Sequence, residues 1–177
     1  MKPLSVAAIL CVRMSSDRLP GKPLVSYHPD GKNNLHCIID RVLGSRHNVT
    51  LVVATSTDKT DDPIIAFLRG WYPVFRGSLE NVVSRFDGAL TAYAKDANFV
   101  WRVMGDCPLV DVDLVDWRLD VLDRNKADAI TIMQPEPTYA AQSAVWSRAA
   151  WDYCAKMSSG SLLQHPGEYI CESFGSF

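Results

Sequence analysis

Residues 9–24 read Ile9-Leu10-Cys11-Val12-Arg13-Met14-Ser15-Ser16-Asp17-Arg18-Leu19-Pro20-Gly21-Lys22-Pro23-Leu24. The apolar residues up to Val12 are typical of a buried β-strand, and the loop after them carries three cations, Arg13, Arg18 and Lys22. A hydrophobic core gains nothing from cations placed so close together, whereas guanidinium and ammonium groups bind phosphate oxygens. The stretch therefore predicts a strand that leads into a loop for a polyphosphate.

The same loop has an alternative interpretation as a solvated surface loop in which Asp17 and Arg18 form an ordinary ion pair. Its position directly after a strand favours the phosphate-binding interpretation, and Pro20-Gly21 would let the backbone turn closely around a ligand. The loop is not a Walker A motif, because Lys22 is followed by proline and the upstream glycine is missing.

The bulk composition is that of an ordinary globular domain, with 177 residues of which 47% are hydrophobic and 21% charged. A net charge of −2 argues against a general binder of nucleic acid or of anionic membranes. The five cysteines are odd in number and lack a Cys-x-x-Cys pair, which argues against a disulfide framework or a zinc site. We therefore expect reduced thiols, a cytoplasmic location and no nucleic-acid or membrane partner.

Short β-rich runs alternate with amphipathic runs along the chain. The predicted strands cover residues 4–12, 49–55, 72–75, 99–104, 128–133 and 144–146. The predicted helices cover residues 35–43, 64–69, 79–95, 112–122 and 148–157, and residues 158–177 are interpreted as loop and tail. We expect Asp61-Asp62-Pro63 to cap the second helix. Repeated strand–helix units predict an α/β fold with a mostly parallel sheet, in which ligands bind beyond the carboxyl ends of the strands.

A second polar loop, Gly105-Asp106-Cys107-Pro108, follows the predicted strand 99–104. A carboxylate at this position could hold a divalent metal against phosphate oxygens. Alternatively, Asp106 caps the next turn, since Asp close to Pro favours turns.

A third strand is followed by Arg76-Gly77-Ser78. Arg76 could contact a base or a ribose, or it could balance Glu80 on the surface. Ser84 lies at the start of a predicted helix, where capping is the ordinary role of small polar residues. The four histidines show no metal-ligand spacing.

The loop Arg13-Met14-Ser15-Ser16-Asp17-Arg18-Leu19-Pro20-Gly21-Lys22 resembles the Arg-x-x-Ser-x-Arg-Leu-Pro-Gly-Lys signature of sugar cytidylyltransferases. The nearest subgroup is the spore-coat polysaccharide type, to which CMP-sialate and CMP-Kdo synthetases are related. Three further blocks resemble this family in the same order: Val52-Val53-Ala54-Thr55-Ser56-Thr57-Asp58 with Asp61-Asp62-Pro63, Val74-Phe75-Arg76-Gly77-Ser78, and Gly105-Asp106-Cys107-Pro108-Leu109-Val110-Asp111.

This resemblance implies a three-layer, Rossmann-like nucleotide-diphospho-sugar transferase fold and a magnesium-dependent reaction. A sugar or sugar acid and CTP would give a CMP-sugar and pyrophosphate, for surface polysaccharide biosynthesis. By position, the implied catalytic residues are Arg13, Lys22 and Asp106. Asp106 would bind Mg²⁺, whereas the implied nucleotide contacts are Arg13, Ser16, Arg18, Lys22, Arg76 and Ser84.

The chain departs from the family pattern in its C-terminal part. Gln142 and Ala144 stand where family members carry carboxylates, and a second acidic metal ligand of the family would lie beyond Phe177. We therefore expect one domain over residues 1–177, with a nucleotide-binding core (1–134) and a shortened acceptor and dimerisation region with a tail (135–177). A homodimer or larger assembly would form through that region.

Two other functions remain open from the sequence. One is a catalytically reduced family member that serves as a nucleotide-binding or structural assembly protein. The other is a nucleotidyltransferase that uses a different base, because one arginine does not specify cytosine.

Overall fold

The computed structural model describes residues 2–16, 19–27, 29–130 and 143–170. Its centre is a five-stranded sheet whose strands, in chain order, are β1 (Ser5–Cys11), β2 (Asn48–Ser56), β3 (Val74–Gly77), β4 (Phe99–Met104) and β5 (Ala144–Ser147). The spatial order is β3-β2-β1-β4-β5, with parallel pairing throughout except between β4 and β5. The predicted α/β class with a mostly parallel sheet is confirmed.

Helices cover both faces of the sheet and produce three layers. The helices are α1 (Asn34–Val42), α2 (Asp62–Leu68), α3 (Val82–Tyr93), α4 (Val112–Asn125) and α5 (Arg148–Met157). One apolar core joins the sheet to α1, α2 and α4, for example through Leu35, Ile64 and Leu119. A second core on the other face joins the sheet to α3 and α5 through Phe86 and Trp151.

Strand β1 is the central strand, with β2 on one side and β4 on the other. Its residues Val6, Ala7, Ala8, Ile9 and Leu10 are completely buried, as the apolar run predicts. The chain runs outward from β1 to β2 and β3, and then crosses back to β4 on the opposite side. The gap between the carboxyl ends of β1 and β4 is therefore the point where the strand order reverses, which is the usual ligand site of open α/β sheets.

Most predicted elements are present, and several boundaries differ for local reasons. Helix α3 begins at Val82 rather than at residue 79, because the Asn81 side chain caps it by accepting a hydrogen bond from the Ser84 N–H. Strand β3 is displaced from the predicted 72–75 to Val74–Gly77, where it pairs in register with β2. Residues 160–164, predicted as loop, form a 3₁₀ helix.

The predicted strand 128–133 lies partly outside the described residues, which do not include 131–142. Within the described part, Ala129 forms an isolated antiparallel bridge with Trp146 of β5. Gln142 is likewise outside the described residues, whereas Ala144 is the first residue of β5. None of the described helices is both long and apolar enough to cross a membrane.

The start of α2 corrects one expectation. Pro63 lies in the first turn of the helix, as predicted, but the Asp61 side chain makes no capping hydrogen bond to it. Its carboxylate is completely buried and accepts hydrogen bonds from other parts of the chain. The sequence predicts that Asp61 accepts a hydrogen bond from the first turn of α2. In the structure it accepts one from the backbone N–H of Met14, 47 residues away.

Candidate active site

A cavity of about 320 Å³ opens at the switch point between β1 and β4. One wall is formed by the loop after β1, including Arg13, Ser16 and Lys22. The other wall is formed by the end of β4 and the residues after it, including Arg102 and Asp106. The structure therefore brings together the two loops that the sequence singles out separately.

The loop after β1 is closed at its base by a backbone hydrogen bond from the Gly21 N–H to the Met14 carbonyl, at 2.9 Å. Gly21 has a φ of 75°, a left-handed conformation that glycine adopts without strain. A short 3₁₀ helix, Lys22–Leu24, starts immediately afterwards. This turn returns the chain to the cavity, so that Arg13 and Lys22 lie on the same wall.

The facing wall depends on a close approach of two backbone segments. The Gly105 N–H donates to the Cys11 carbonyl at 3.1 Å, which extends the pairing of β4 with β1. The Asn34 side chain, itself buried, donates from Nδ2 to the Gly105 carbonyl at 2.7 Å. Asp106 follows directly and lines the cavity, and these two bonds hold the backbone immediately before it.

Lys22 and Asp106 face each other across the cavity, with Nζ and Oδ2 3.7 Å apart. Their side chains are 28% and 41% exposed. A pair this exposed adds little to folding stability, because water screens the attraction and the long side chain loses conformational freedom. Both groups therefore remain available to a charged ligand.

Replacing Gly105 by alanine is expected to destabilise the fold and to weaken ligand binding in the cavity. The added Cβ would lie 2.7 Å from the Cys11 carbonyl oxygen and 3.0 Å from the Val12 Cβ, neither of which is the end of a flexible side chain. We expect the free energy of unfolding, measured by urea denaturation, to fall by about 1–3 kcal/mol. The comparison variant is Gly44→Ala, outside the cavity lining, whose Cβ would lie 3.1 Å from the Arg41 carbonyl oxygen. Its loss should be smaller, and an equal loss there would contradict this interpretation.

The predicted site residues divide into three groups. Arg13, Ser16, Lys22 and Asp106 line the cavity. Arg18 lies outside the described residues. Arg76 and Ser84 lie elsewhere, Arg76 on β3 and Ser84 in the first turn of α3.

Arg76 is held by three contacts within the protein. Its Nε and Nη2 donate to the carbonyls of Ser56 and Asp58, both at 2.8 Å, and Nη1 lies 2.7 Å from the Asp62 carboxylate. Its ion-pair partner among the described residues is therefore Asp62 rather than Glu80. The Ser84 hydroxyl donates to the Asn81 carbonyl at 3.0 Å, as part of the helix cap.

Sequence reasoning missed two residues that shape the cavity. Arg102 looks like an exposed strand position, but it lines the cavity and donates from Nη1 to the Pro166 carbonyl at 3.1 Å. Asn34 follows the helix cap Asn33, and a pair of asparagines at a helix start gives no signal beyond capping. Its contact with Gly105, 71 residues away, exists only in the folded chain.

Two cysteine thiols, one in the cavity lining and one just after Asp106, have raised pKa values. Burial raises the pKa of the Cys11 thiol, although the nearby Arg85 and Arg102 lower it in part. Burial and the neighbouring Asp106 carboxylate also raise the pKa of Cys107. Both thiols are therefore protonated at neutral pH and are poor nucleophiles.

Among the described residues that line the cavity, Asp106 provides a carboxylate that could bind a cation. No group of three or more His, Cys, Asp or Glu side chains that could hold a metal occurs within the described ranges. Mg²⁺ is commonly bound by one or two carboxylates, with water and substrate phosphates as the other ligands. Asp106 is partly exposed and faces Arg13 and Lys22 across the cavity, so its carboxylate fits this kind of Mg²⁺ site.

The mostly parallel sheet, the cavity at its switch point and the loop of residues 13–22 with its cations, here called the cationic loop, are typical of α/β proteins that bind nucleotides. A family profile described as Cytidylyltransferase matches residues 7–151. The chain belongs to the cytidylyltransferase family, as its resemblance to the sugar cytidylyltransferases implies.

Two curated relatives differ in how much of this chain, and of their own length, they match. An uncharacterized protein of Methanocaldococcus jannaschii is 25% identical over 92% of this chain and 69% of its own length. A 3-deoxy-manno-octulosonate cytidylyltransferase of Cytophaga hutchinsonii is 30% identical over 63% of this chain, but over only 44% of its own length. The chain thus spans less than half of that named enzyme.

Solved structures support the fold. A cytidylyltransferase from Leptospira borgpetersenii superimposes with a TM-score of 0.83 and 22% identity, covering 98% of this chain and 74% of the other. A CMP:2-keto-3-deoxy-manno-octonic acid synthetase complexed with CTP superimposes with a TM-score of 0.65 and 18% identity, covering 97% and 83% of the two chains.

Proposed function

We propose that this protein transfers the cytidylyl group of CTP to a hydroxyl group of an acidic sugar and releases pyrophosphate. The observation that carries the proposal is the placement of Arg13 and Lys22 opposite Asp106 in one cavity at the switch point of the sheet. Membership in the cytidylyltransferase family and the named activity of the Cytophaga relative support it. The proposed role lies in the synthesis of surface polysaccharides.

The reaction makes one bond and breaks one bond. The sugar hydroxyl oxygen attacks the α-phosphorus, the α–β phosphoanhydride bond breaks, and its electron pair leaves on pyrophosphate while the hydroxyl proton passes to solvent. Negative charge accumulates on the β- and γ-phosphates as they leave. Arg13 and Lys22 would stabilise that charge, because phosphoryl transfer depends mainly on positioning and on charge neutralisation.

The remaining proposed residues bind and orient the nucleotide. Ser16 on the same wall, and Arg18 in the same loop, would donate to the phosphates. Arg76 and Ser84, which do not line the cavity, would lie near the cytidine end of the nucleotide, beyond its phosphates. Asp106 would hold Mg²⁺, which, when bound, supplies a positive charge that draws electron density from the phosphate oxygens.

The test is pyrophosphate release in the presence of CTP, magnesium and a panel of acidic sugars that includes 3-deoxy-manno-octulosonate, with the CMP-sugar identified by phosphorus NMR. We expect release that requires both CTP and a sugar, and that stops when magnesium is removed with a chelator. ATP, GTP and UTP in place of CTP test the choice of base.

The alternative function, a nucleotide-binding or assembly protein without catalysis, predicts a different pair of results. It predicts that calorimetry detects CTP binding while no sugar in the panel yields pyrophosphate. Absence of both binding and turnover would contradict the proposed nucleotide site itself.

The homodimer or larger assembly through residues 135–177 also remains a proposal. Within that region Tyr153, on α5, is 52% exposed, and exposed aromatic side chains are enriched at interfaces. Light scattering on the purified chain measures the oligomeric state directly.

A further inference from the structure

Asp61 is a completely buried carboxylate that does not cap the helix it precedes. Buried charged groups are rare in proteins unless hydrogen bonds or opposite charges compensate for the lost hydration. The hydrogen bonds that Asp61 accepts therefore compensate for its burial, and their donors show which parts of the chain it connects.

The two oxygens of Asp61 serve different parts of the chain. Oδ2 accepts hydrogen bonds from the end of β2: from the Thr55 hydroxyl at 3.0 Å, from the Ser56 N–H at 3.1 Å and from the Ser56 hydroxyl. Oδ1 accepts from the Met14 N–H at 2.7 Å, in the loop that follows β1. One carboxylate thus joins the end of β2 to the start of the cationic loop.

Met14 is the residue on which this loop closes. Its N–H is held by Asp61, and its carbonyl accepts the hydrogen bond from the Gly21 N–H that closes the loop base. Arg13 precedes Met14 directly, and Lys22 follows Gly21 directly. The positions of Arg13 and Lys22, the two cavity-lining cations of this loop, therefore depend on a backbone segment that Asp61 anchors.

We propose that Asp61 is a positioning residue that holds the cationic loop in the conformation that binds the triphosphate. This inference rests on the proposed function, since it takes the loop to be the triphosphate site. Asp61 itself lies outside the cavity and acts through the Met14 amide. Its negative charge is useful there because a charged acceptor forms a stronger hydrogen bond with an N–H than a neutral acceptor does.

The variant Asp61→Asn distinguishes the hydrogen bond from Met14 from the hydrogen bonds at the end of β2. An asparagine has one acceptor oxygen and one NH₂ group, and the NH₂ group cannot accept from a backbone N–H. The oxygen is expected to face the Ser56 N–H and the two hydroxyls of β2, which places the NH₂ group against the Met14 N–H. The substitution should therefore release the loop while the bonds to β2 persist.

Two measurements test the proposal. Hydrogen exchange should become faster in residues 13–22 by about tenfold or more, the factor for a lost hydrogen bond to a charged group. Affinity for CTP should fall by about tenfold or more for the same reason, while affinity for cytidine, which lacks phosphates, should not change.

Thr55→Val is the matched control. It removes a hydrogen bond to the same carboxylate and is equally buried, but it leaves the bond from Met14 to Asp61 in place. We expect a lower urea midpoint with unchanged exchange in residues 13–22 and unchanged CTP affinity. Equal loosening of the loop in Thr55→Val, or equal loss of cytidine and CTP binding in Asp61→Asn, would overturn the proposal.

A second variant reaches the same contact from the loop side, in case Asp61→Asn does not fold. Met14→Pro removes the N–H donor and should weaken CTP binding without weakening cytidine binding. If the wild-type protein does not bind CTP, the proposed function fails, yet the exchange measurement still tests the anchor. Unchanged exchange in Asp61→Asn contradicts the anchor regardless of the ligand.

Discussion

Asp106→Asn is expected to lower kcat for CTP-dependent pyrophosphate release by about 10²–10³-fold, the usual effect of removing one oriented group from a charge-stabilising site. Asparagine keeps the shape of the side chain but loses the negative charge that strengthens its binding to a hard cation such as Mg²⁺. The change also frees Lys22, whose Nζ lies 3.7 Å from the Asp106 carboxylate. Binding of CTP without metal should therefore be unchanged or tighter while kcat falls.

The matched control is Asp113→Asn, which removes the same charge from an exposed position in the first turn of α4. It should leave kcat unchanged. Lys22→Met should also lower kcat, and its effect should not add to that of Asp106→Asn, because the two side chains meet across the cavity. Full activity of Asp106→Asn would refute the assignment of Asp106 and, with it, this form of the mechanism.

Trp151→Ala is expected to lower the free energy of unfolding by about 3–5 kcal/mol, the typical loss when a buried tryptophan is truncated. Trp151 is completely buried on α5, and its ring centroid lies 4.2 Å from that of Phe86 and 5.8 Å from that of Trp146. Its indole N–H also donates to the Asp87 carboxylate at 3.0 Å. For a domain of this size the loss corresponds to a drop in Tm of roughly 6–20 °C by calorimetry.

Trp71→Ala makes the same chemical change at a side chain that is 68% exposed. It should alter the free energy of unfolding by about 0.5 kcal/mol or less. Trp151→Phe retains an aromatic ring but loses the bond to Asp87, and it should lie between the two. If Trp151→Ala were as stable as Trp71→Ala, α5 would not be an integral part of the second core.

The sequence predicts the central strands well because each is marked by its own run of apolar residues. The strands around β1, β2 and β4 are continuous apolar runs, and such runs are buried by the hydrophobic effect whatever their partners are. Strand β4 was predicted with its observed bounds, Phe99–Met104. The short strand β3 was displaced because its register is set by hydrogen bonds to β2, which the sequence of β3 alone does not contain.

In the candidate site, too, some residues are predictable from local sequence and others depend on contacts between distant segments. Arg13, Lys22 and Asp106 could be proposed from residue type and position after a strand, and the structure places them around one cavity. Asp61 and Asn34 could not, because both look like helix-start residues. Their decisive contacts, with Met14 and Gly105, join segments 47 and 71 residues apart.

Because β1 is the central strand, one of its edges remains unpaired during much of the synthesis of the chain by the ribosome. Strand β1 is made before its partner β2, but the edge that β4 will cover stays open until Met104 has emerged. An open edge on a largely apolar strand readily pairs with other chains. We therefore expect nascent chains stalled before Phe99 to aggregate or to recruit chaperones, whereas chains that extend past Met104 can close this edge themselves.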